Sequence, residues 1–369
     1  MSGSRDKRSI SKLERILLAV LIVILAFLLA IFINHKIMTH QEMKLLKANG
    51  YYNPVSVGDH SLNVAKFGKV DGKHTIVALA GLGMGDYSVL ERRMTEILEE
   101  DNLVVYVDRA GYGLSGDSYK KMTIENIVED YRTALKNSGI DGPYILMPHS
   151  LGGAYTSYWA SKYPEEIEAV VFLDGTQLSE NLSFGPGGDG EIRFMDKAQT
   201  LILKLGFGRF IKEYHYKYSD MFTEDEQKMG DALRYMTMDS YSTGSESDLI
   251  TSNVRAAWNS IETNDVPKLY ICASWGFKTE EELTSYNKWA NDQIRKRNLG
   301  KPFRYEKFED KGYVKNLLEQ YEEARQTQLY PYCEKMGNCK VVLMPGDHNI
   351  FEQYPSELGH LIKDFIDGL

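Results

Sequence analysis

The sequence predicts an α/β fold: a mostly parallel sheet flanked by helices, carrying a helical cap insertion and preceded by one transmembrane helix. Three observations predict it. An 18-residue apolar run, Ile16 to Ile33 (ILLAVLIVILAFLLAIFI), contains no Gly, Pro or charge. A hairpin pattern is followed by short β-rich apolar runs alternating with helical patterns, as repeated strand–helix units require. Two stretches, 175–266 and 279–338, break that alternation with helical patterning alone. Composition agrees, because 369 residues that are 43% hydrophobic and 26% charged supply a large core and exclude a disordered or collagen-like chain.

The first 15 residues form a basic tail in which Arg5, Lys7, Arg8, Lys12 and Arg15 outweigh Asp6 and Glu14. A basic flank stays cytoplasmic, which places the body outside, attached to the cell membrane by a single pass. At about 1.5 Å per residue the run 16–33 reaches roughly 27 Å, close to the hydrocarbon thickness, so the lipid bilayer is its expected partner. A cleaved signal would have a shorter apolar region ending at a small-x-small site, whereas Asn34-His35-Lys36-Ile37-Met38 follows here. Residues 34–50 read as a polar helical stalk ending at Gly50. The net charge of −9 disfavours a nucleic-acid partner. Three Cys exclude a disulfide scaffold, and no Cys/His spacing suits zinc. Cys333 and Cys339 can pair outside a reducing compartment or remain thiols, as their Cα separation dictates.

The core is expected in two pieces, 51–174 and 267–369, with 175–266 as the cap and 279–338 as a second helical insertion. Val55–Val57 and Leu62–Ala65 flank Gly58-Asp59-His60, a hairpin signal. Strand-like runs follow at Thr75–Ala80, Leu103–Val107, Tyr144–Met147, Ala169–Leu173, Lys268–Ala273 and Lys340–Met344. Helical patterns at Tyr87–Glu100, Thr123–Asn137 and Leu151–Tyr163 separate the early ones, and a last helix begins near Pro355. The 175–266 insertion leaves the sheet where a ligand crevice should lie. Its Phe207, Phe210, Tyr214, Tyr216, Tyr218 and Phe222 either line an apolar pocket or pack the cap onto the sheet.

The chemistry collects at strand ends. Tyr144-Ile-Leu-Met-Pro148-His149-Ser150-Leu151-Gly152-Gly153 is an apolar strand running into a Ser and a Gly-containing helix start. That is the context of the G-x-S-x-G elbow, where a sharp turn exposes the Ser oxygen and a helix N-terminus offers free N–H groups to an oxyanion. Pro148 stands where the first Gly belongs, and a bare Ser before Gly can instead be a simple helix cap. Gly111-Tyr-Gly113-Leu-Ser-Gly116 formally matches a dinucleotide loop, but Asp117 to Lys121 intervene before the next helix, so a structural turn is the simpler reading.

These segments resemble the α/β-hydrolase superfamily. Val77–Gly83 is similar to the loop that completes that family's oxyanion hole, with Ala80 where the family often has His. Asp108-Arg109-Ala110-Gly111-Tyr112-Gly113-Leu114-Ser115 matches its D-R-x-G-x-G-x-S turn, and Met344-Pro345-Gly346-Asp347-His348 follows the last strand where its catalytic His belongs. The resemblance covers roughly 55–175 and 267–369. It implies a serine hydrolase acting on a small-molecule acyl substrate, without metal or organic cofactor, with Ser150 as nucleophile and His348 as base. The oxyanion donors would be the backbone N–H groups of Leu82 and Leu151. Asp174, at the end of VVFLDGT, is the expected acid, with Glu280, Glu281 and Glu282 or Asp347 as alternatives. His149 is expected to pack rather than react. The leading expectation is a carboxylesterase or lipase-like enzyme. The alternatives are a prolyl-type aminopeptidase using Glu191, Asp196 or Glu213, a non-catalytic binding domain, and acyl transfer to an alcohol.

Overall fold

A computed structural model describes residues 11–210, 221–238, 240–296 and 310–369. Arg5, Asp6, Lys7 and Arg8 of the basic tail lie outside the described residues, as do Glu213, Tyr214, Tyr216 and Tyr218 of the cap.

Among the described residues eight strands form one sheet in the order β1-β2-β4-β3-β5-β6-β7-β8. They are β1 (Pro54–Ser56), β2 (Ser61–Gly68), β3 (Thr75–Leu79), β4 (Leu103–Val107), β5 (Tyr144–Pro148), β6 (Ile167–Leu173), β7 (Lys268–Cys272) and β8 (Cys339–Leu343). The β1–β2 and β2–β4 pairs are antiparallel; every pair from β4 to β8 is parallel. The central strands alternate between two buried faces, which is why they read as unbroken apolar runs. Val77, Leu79, Val105, Leu146, Val170 and Phe172 point to one core. Ile76, Ala78, Val104, Ile145, Met147 and Val171 point to the other.

Helices α2 (Tyr87–Thr95), α11 (Ile350–Gln353) and α12 (Pro355–Ile366) cover the second face, through Leu90, Met94, Phe351, Leu358 and Ile362. Helices α3 (Ile124–Asn137), α4 (Gly152–Lys162) and α7 (Ser242–Ser260) cover the first. Thr123 caps α3 through the Asn126 amide, and the Ile127/Val128/Tyr131/Ala134/Leu135 spacing buries one helical face. Although α7 lies within the 175–266 stretch, its Val254 and Ala257 belong to the core. The rest of that stretch contributes α5 (Phe194–Lys204), a 3₁₀ turn (Phe207–Phe210) and α6 (Glu224–Met238). The later insertion supplies α8 (Glu280–Lys296), α9 (Lys311–Ala324) and, after a π-helical turn, α10 (Tyr330–Met336).

Among the described residues one helix, α1 (Lys12–Ala48), is long and apolar enough to cross a membrane. Ser11 and Glu14 cap it reciprocally, and Leu17, Val23 and Phe27 are exposed along it. Residues 34–48, expected as a stalk, continue this helix and lie against the cap. Leu46 is buried, and Arg209 holds Glu42 through two nitrogens at 2.7 and 2.8 Å. Cys272, Cys333 and Cys339 are free thiols.

Candidate active site

The turn after β5 carries backbone strain. Ser150 has φ of 52°, a left-handed conformation that costs a non-glycine residue roughly 1–2 kcal/mol and persists only where surrounding structure enforces it. The enforcement is visible on both sides. The His149 amide donates to the Leu79 carbonyl at 2.9 Å, and the Ser150 carbonyl accepts from the Thr176 amide at 2.9 Å. Gly152 is required where α4 starts, because a Cβ there would fall 2.7 Å from the Leu79 carbonyl oxygen. Pro148 closes β5 opposite Leu79, and the missing proline N–H is followed at once by the His149 bond. Ser150 is left half-buried, with its Oγ making no hydrogen bond among the described residues.

Asp174, one residue past β6, also has a left-handed φ, of 42°, and a side chain only 2% exposed. Its Oδ2 lies 2.7 Å from His348 Nδ1, and its Oδ1 accepts the Ala273 and Ser274 amides at 2.8 and 3.0 Å. Ser274 Oγ donates to Oδ2 as well. Burial alone would raise this carboxyl's pKa; the hydrogen bonds from His348 and Ser274 outweigh it and hold the group below its ordinary value. His348, in the loop between β8 and α11, has a half-exposed side chain. Its backbone carbonyl is gripped by His149 Nε2 at 2.7 Å. His149 is fully buried, stacks on Tyr87 at 5.8 Å between ring centroids, and is 4.5 Å from the His348 ring. Burial, then the nearby His348 charge, lowers its pKa from 6.5 to about 3. It is therefore neutral at pH 7 and donates from Nε2 to the carbonyl.

The structure thus brings Ser150, Asp174 and His348 to the same end of the parallel strands β5, β6 and β8. Of the other acid candidates, Glu280 and Glu281 are exposed in the first turn of α8 and two are engaged elsewhere. Glu282 accepts the Lys278 and Thr279 amides at the start of α8, and Asp347 accepts the Asn349 amide. Of the carboxylates considered for binding a substrate amine, Glu191 pairs with Lys121 at 2.6 Å and Asp196 accepts the Arg193 amide at the start of α5.

The loop after β3 closes the other side. Ala80 and Gly81 offer their carbonyls to Arg109 at 2.5 and 2.7 Å, and the Gly83 amide donates to Tyr112 Oη at 2.9 Å. Gly81 sits so near the elbow that a Cβ there would be 2.8 Å from Ser150 Cβ. The Leu82 and Leu151 amides have no acceptor among the described residues. Behind the loop, Arg109 Nε meets Glu246 Oε1 at 3.0 Å, with both side chains no more than 1% exposed. Tyr112 and Tyr155 donate to the same carboxylate at 2.5 Å each. Sequence reasoning read Arg109 only as part of a turn and did not single out Glu246, which lies on α7 in a Ser-rich segment without apolar patterning.

The cap reaches this loop through α6. Arg234 pairs with Asp86 at 2.7 Å, and Thr237 accepts the Gly113 amide, in the turn after β4, at 2.8 Å. Among the expected pocket aromatics, Phe222 is buried in the core, Phe207 is half-buried and Phe210 is exposed. No group of three His, Cys, Asp or Glu among the described residues is placed to hold a metal ion.

Comparison with known proteins agrees with this architecture. The uncharacterized protein YbdG of Bacillus subtilis is 32% identical over 220 residues, 59% of this chain and 65% of its own length. A putative chloroplastic methylesterase of Arabidopsis thaliana is 32% identical over 120 residues, 31% of this chain and 34% of the plant protein. The chain thus spans at most about two thirds of these relatives. Among solved structures, a probable hydrolytic enzyme from Pseudomonas aeruginosa superposes with TM-score 0.53 at 15% identity, over 86% of this chain and 93% of the other. A haloalkane dehalogenase of Bradyrhizobium elkani does so with TM-score 0.52 at 13% identity, over 86% and 97%; at such identities the likeness is one of fold. The family model of the alpha/beta hydrolase fold matches residues 75–266, which carry the elbow, Asp174 and the Arg109–Glu246 pair, and the chain belongs to that family.

Proposed function

We propose that this chain is a serine hydrolase that cleaves a carboxylic ester or related acyl bond, held at a membrane by residues 16–33 with its catalytic body on the outer side. The observation that carries the reading is the buried Asp174 carboxylate on His348 Nδ1, beside a serine held in a left-handed turn. Asp174 fixes the tautomer that leaves His348 Nε2 free to accept a proton. His348 takes the proton of Ser150 as its oxygen attacks the acyl carbon. The tetrahedral oxyanion is met by the Leu82 and Leu151 amides, each worth about 2.7–4 kcal/mol in comparable sites. His348 then protonates the leaving alcohol, and the acyl-enzyme is hydrolysed by water that gives its proton to the same imidazole. A serine at the elbow separates this chain from dehalogenase chemistry, which uses a carboxylate nucleophile. The likeness to putative methylesterases supports an ester over an amide, and Glu191 and Asp196, two of the carboxylates the aminopeptidase reading would use, are engaged elsewhere.

The test uses the full-length protein in detergent and its Ser150→Ala variant, treated with a fluorophosphonate probe and then with p-nitrophenyl esters of short and long acyl chains. Labelling and turnover that vanish together in the variant support the reading. A folded wild-type protein that neither labels nor turns over an ester overturns it and leaves a binding role on the same fold.

A further inference from the structure

Helix α5 is amphipathic in the wrong sense for a helix surrounded by water. Its inner side buries Thr200 and Leu203. Its outer side exposes Phe194 by 82%, Met195 by 71%, Leu201 by 60%, Ile202 by 53% and Leu205 by 37%, and Phe210 just beyond is 65% exposed. At about 100° per residue the first five occupy an arc of roughly 120° opposite Leu203. A water-facing helix carries polar residues on that arc, and a contiguous apolar patch of this kind marks an interaction surface.

The position of the patch says what covers it. The end of α5 is fastened to α1 where the apolar run 16–33 gives way to polar sequence. Gly206 approaches α1 so closely that a Cβ would fall 2.6 Å from His35 Cβ and 3.4 Å from Ile31 Cγ2. Arg209 locks the contact, with Nε to His35 Nδ1 at 3.1 Å, Nη2 to Thr39 at 3.0 Å and both Nη atoms on Glu42. The exposed arc therefore adjoins the end of the apolar run, which, if 16–33 is a span, is the depth where acyl chains meet headgroups. Lys197, exposed at the edge of the arc, suits anionic headgroups.

We infer that the apolar face of α5, with Phe210, rests in the interfacial layer of the leaflet from which α1 emerges, so that the lipid surface is a second membrane contact of the cap. The inference rests on the reading of 16–33 as a span. Two attachments, a crossing helix and an in-plane one fastened to it by Arg209, hold the cap at the lipid–water boundary.

Photolabelling tests it. The full-length protein in vesicles of phosphatidylcholine and phosphatidylglycerol, doped with a phospholipid carrying a diazirine in its acyl chain, is irradiated and its adducts mapped by peptide mass spectrometry. Adducts are expected within 16–33 and within 194–210, but not around Val70 or Tyr119, which are 81% and 72% exposed on loops of the core. A Phe194→Ser/Leu201→Ser/Ile202→Ser variant, altered only at exposed side chains, should keep the label at 16–33 and lose most of it at 194–210. Label at 16–33 with no more at 194–210 than around Val70 overturns the inference and leaves the face to a protein partner such as a second copy. Absence of label from 16–33 overturns the span reading, and the inference with it.

Discussion

The back of the candidate site and the outer face of the cap solve opposite problems. Behind the loop after β3, Arg109 and Glu246 are charged and almost wholly removed from water, and three tyrosines surround them. On α5, large apolar side chains stand in the open. A buried charge costs several kcal/mol unless paired, so the first arrangement can exist only with every partner in place. Exposed apolar side chains lose little in the isolated fold, because water is where they also sit in the unfolded chain. The interior pair is thus tied to the geometry of the site, whereas the cap face is tied to whatever surrounds the molecule.

The largest expected effect breaks the site without touching either region. Asp174→Asn keeps the shape but removes the acceptor for His348 Nδ1, and should lower kcat on a p-nitrophenyl ester by roughly 10⁴-fold, as loss of the acid does in triads of this type. A variant retaining wild-type rates would remove Asp174 from the mechanism. Next comes the interior pair itself. Glu246→Gln leaves the Arg109 guanidinium buried without its counter-charge and should cost about 3–5 kcal/mol, read as a fall in the urea midpoint. An unchanged midpoint would mean that the pair is not what ties α7 to the loop after β3.

His149 sharpens the same point through pH. Its imidazole titrates near 3 in the folded protein against 6.5 ordinarily. Between those values the unfolded chain binds the extra proton and the folded one does not, so stability falls as pH drops through that window. Chemical denaturation at pH 7 and pH 5 should show wild type losing more stability on acidification than His149→Phe, which retains a ring against Tyr87. Equal losses would place the acid sensitivity elsewhere. At pH 7 the same variant should cost about 1 kcal/mol for the lost bond to the His348 carbonyl. The smallest effect belongs to the cap face. Leu201→Ser and Ile202→Ser should each move the stability of the full-length protein in detergent by no more than about 0.5 kcal/mol. A larger loss would mean that these side chains pack within the fold after all.

Much of the architecture was legible because a parallel sheet buried on both faces writes itself as short apolar runs. Leu103–Val107 is a strand over the residues expected, and the other strands differ at their ends by one to three residues. The elbow was legible because Gly152 has to be small where α4 meets β3. Asp174 is the acid expected from its place at a strand end, ahead of the glutamates at 280–282, but the contacts that hold it are not legible in the sequence. They depend on the β6 and β7 ends lying side by side, which brings the Ala273 and Ser274 amides to its carboxylate. The packing of residues 34–48 was not legible for a related reason. It depends on Arg209, more than 150 residues away in sequence, which bonds Thr39 and Glu42 and holds the helix against the cap.

By itself the sequence determined the apolar helix, the alternation of strands and helices, and the positions where a serine and a histidine meet the sheet's end. Each of these follows from local periodicity, turn chemistry and steric limits on nearby residues. The tertiary structure alone decided which carboxylate faces His348, that Glu246 is the counter-charge of Arg109, and that the apolar arc of α5 points outward instead of into the core. Those outcomes depend on which groups lose water and which neighbours replace it, and burial is a property of packing between segments far apart in the chain.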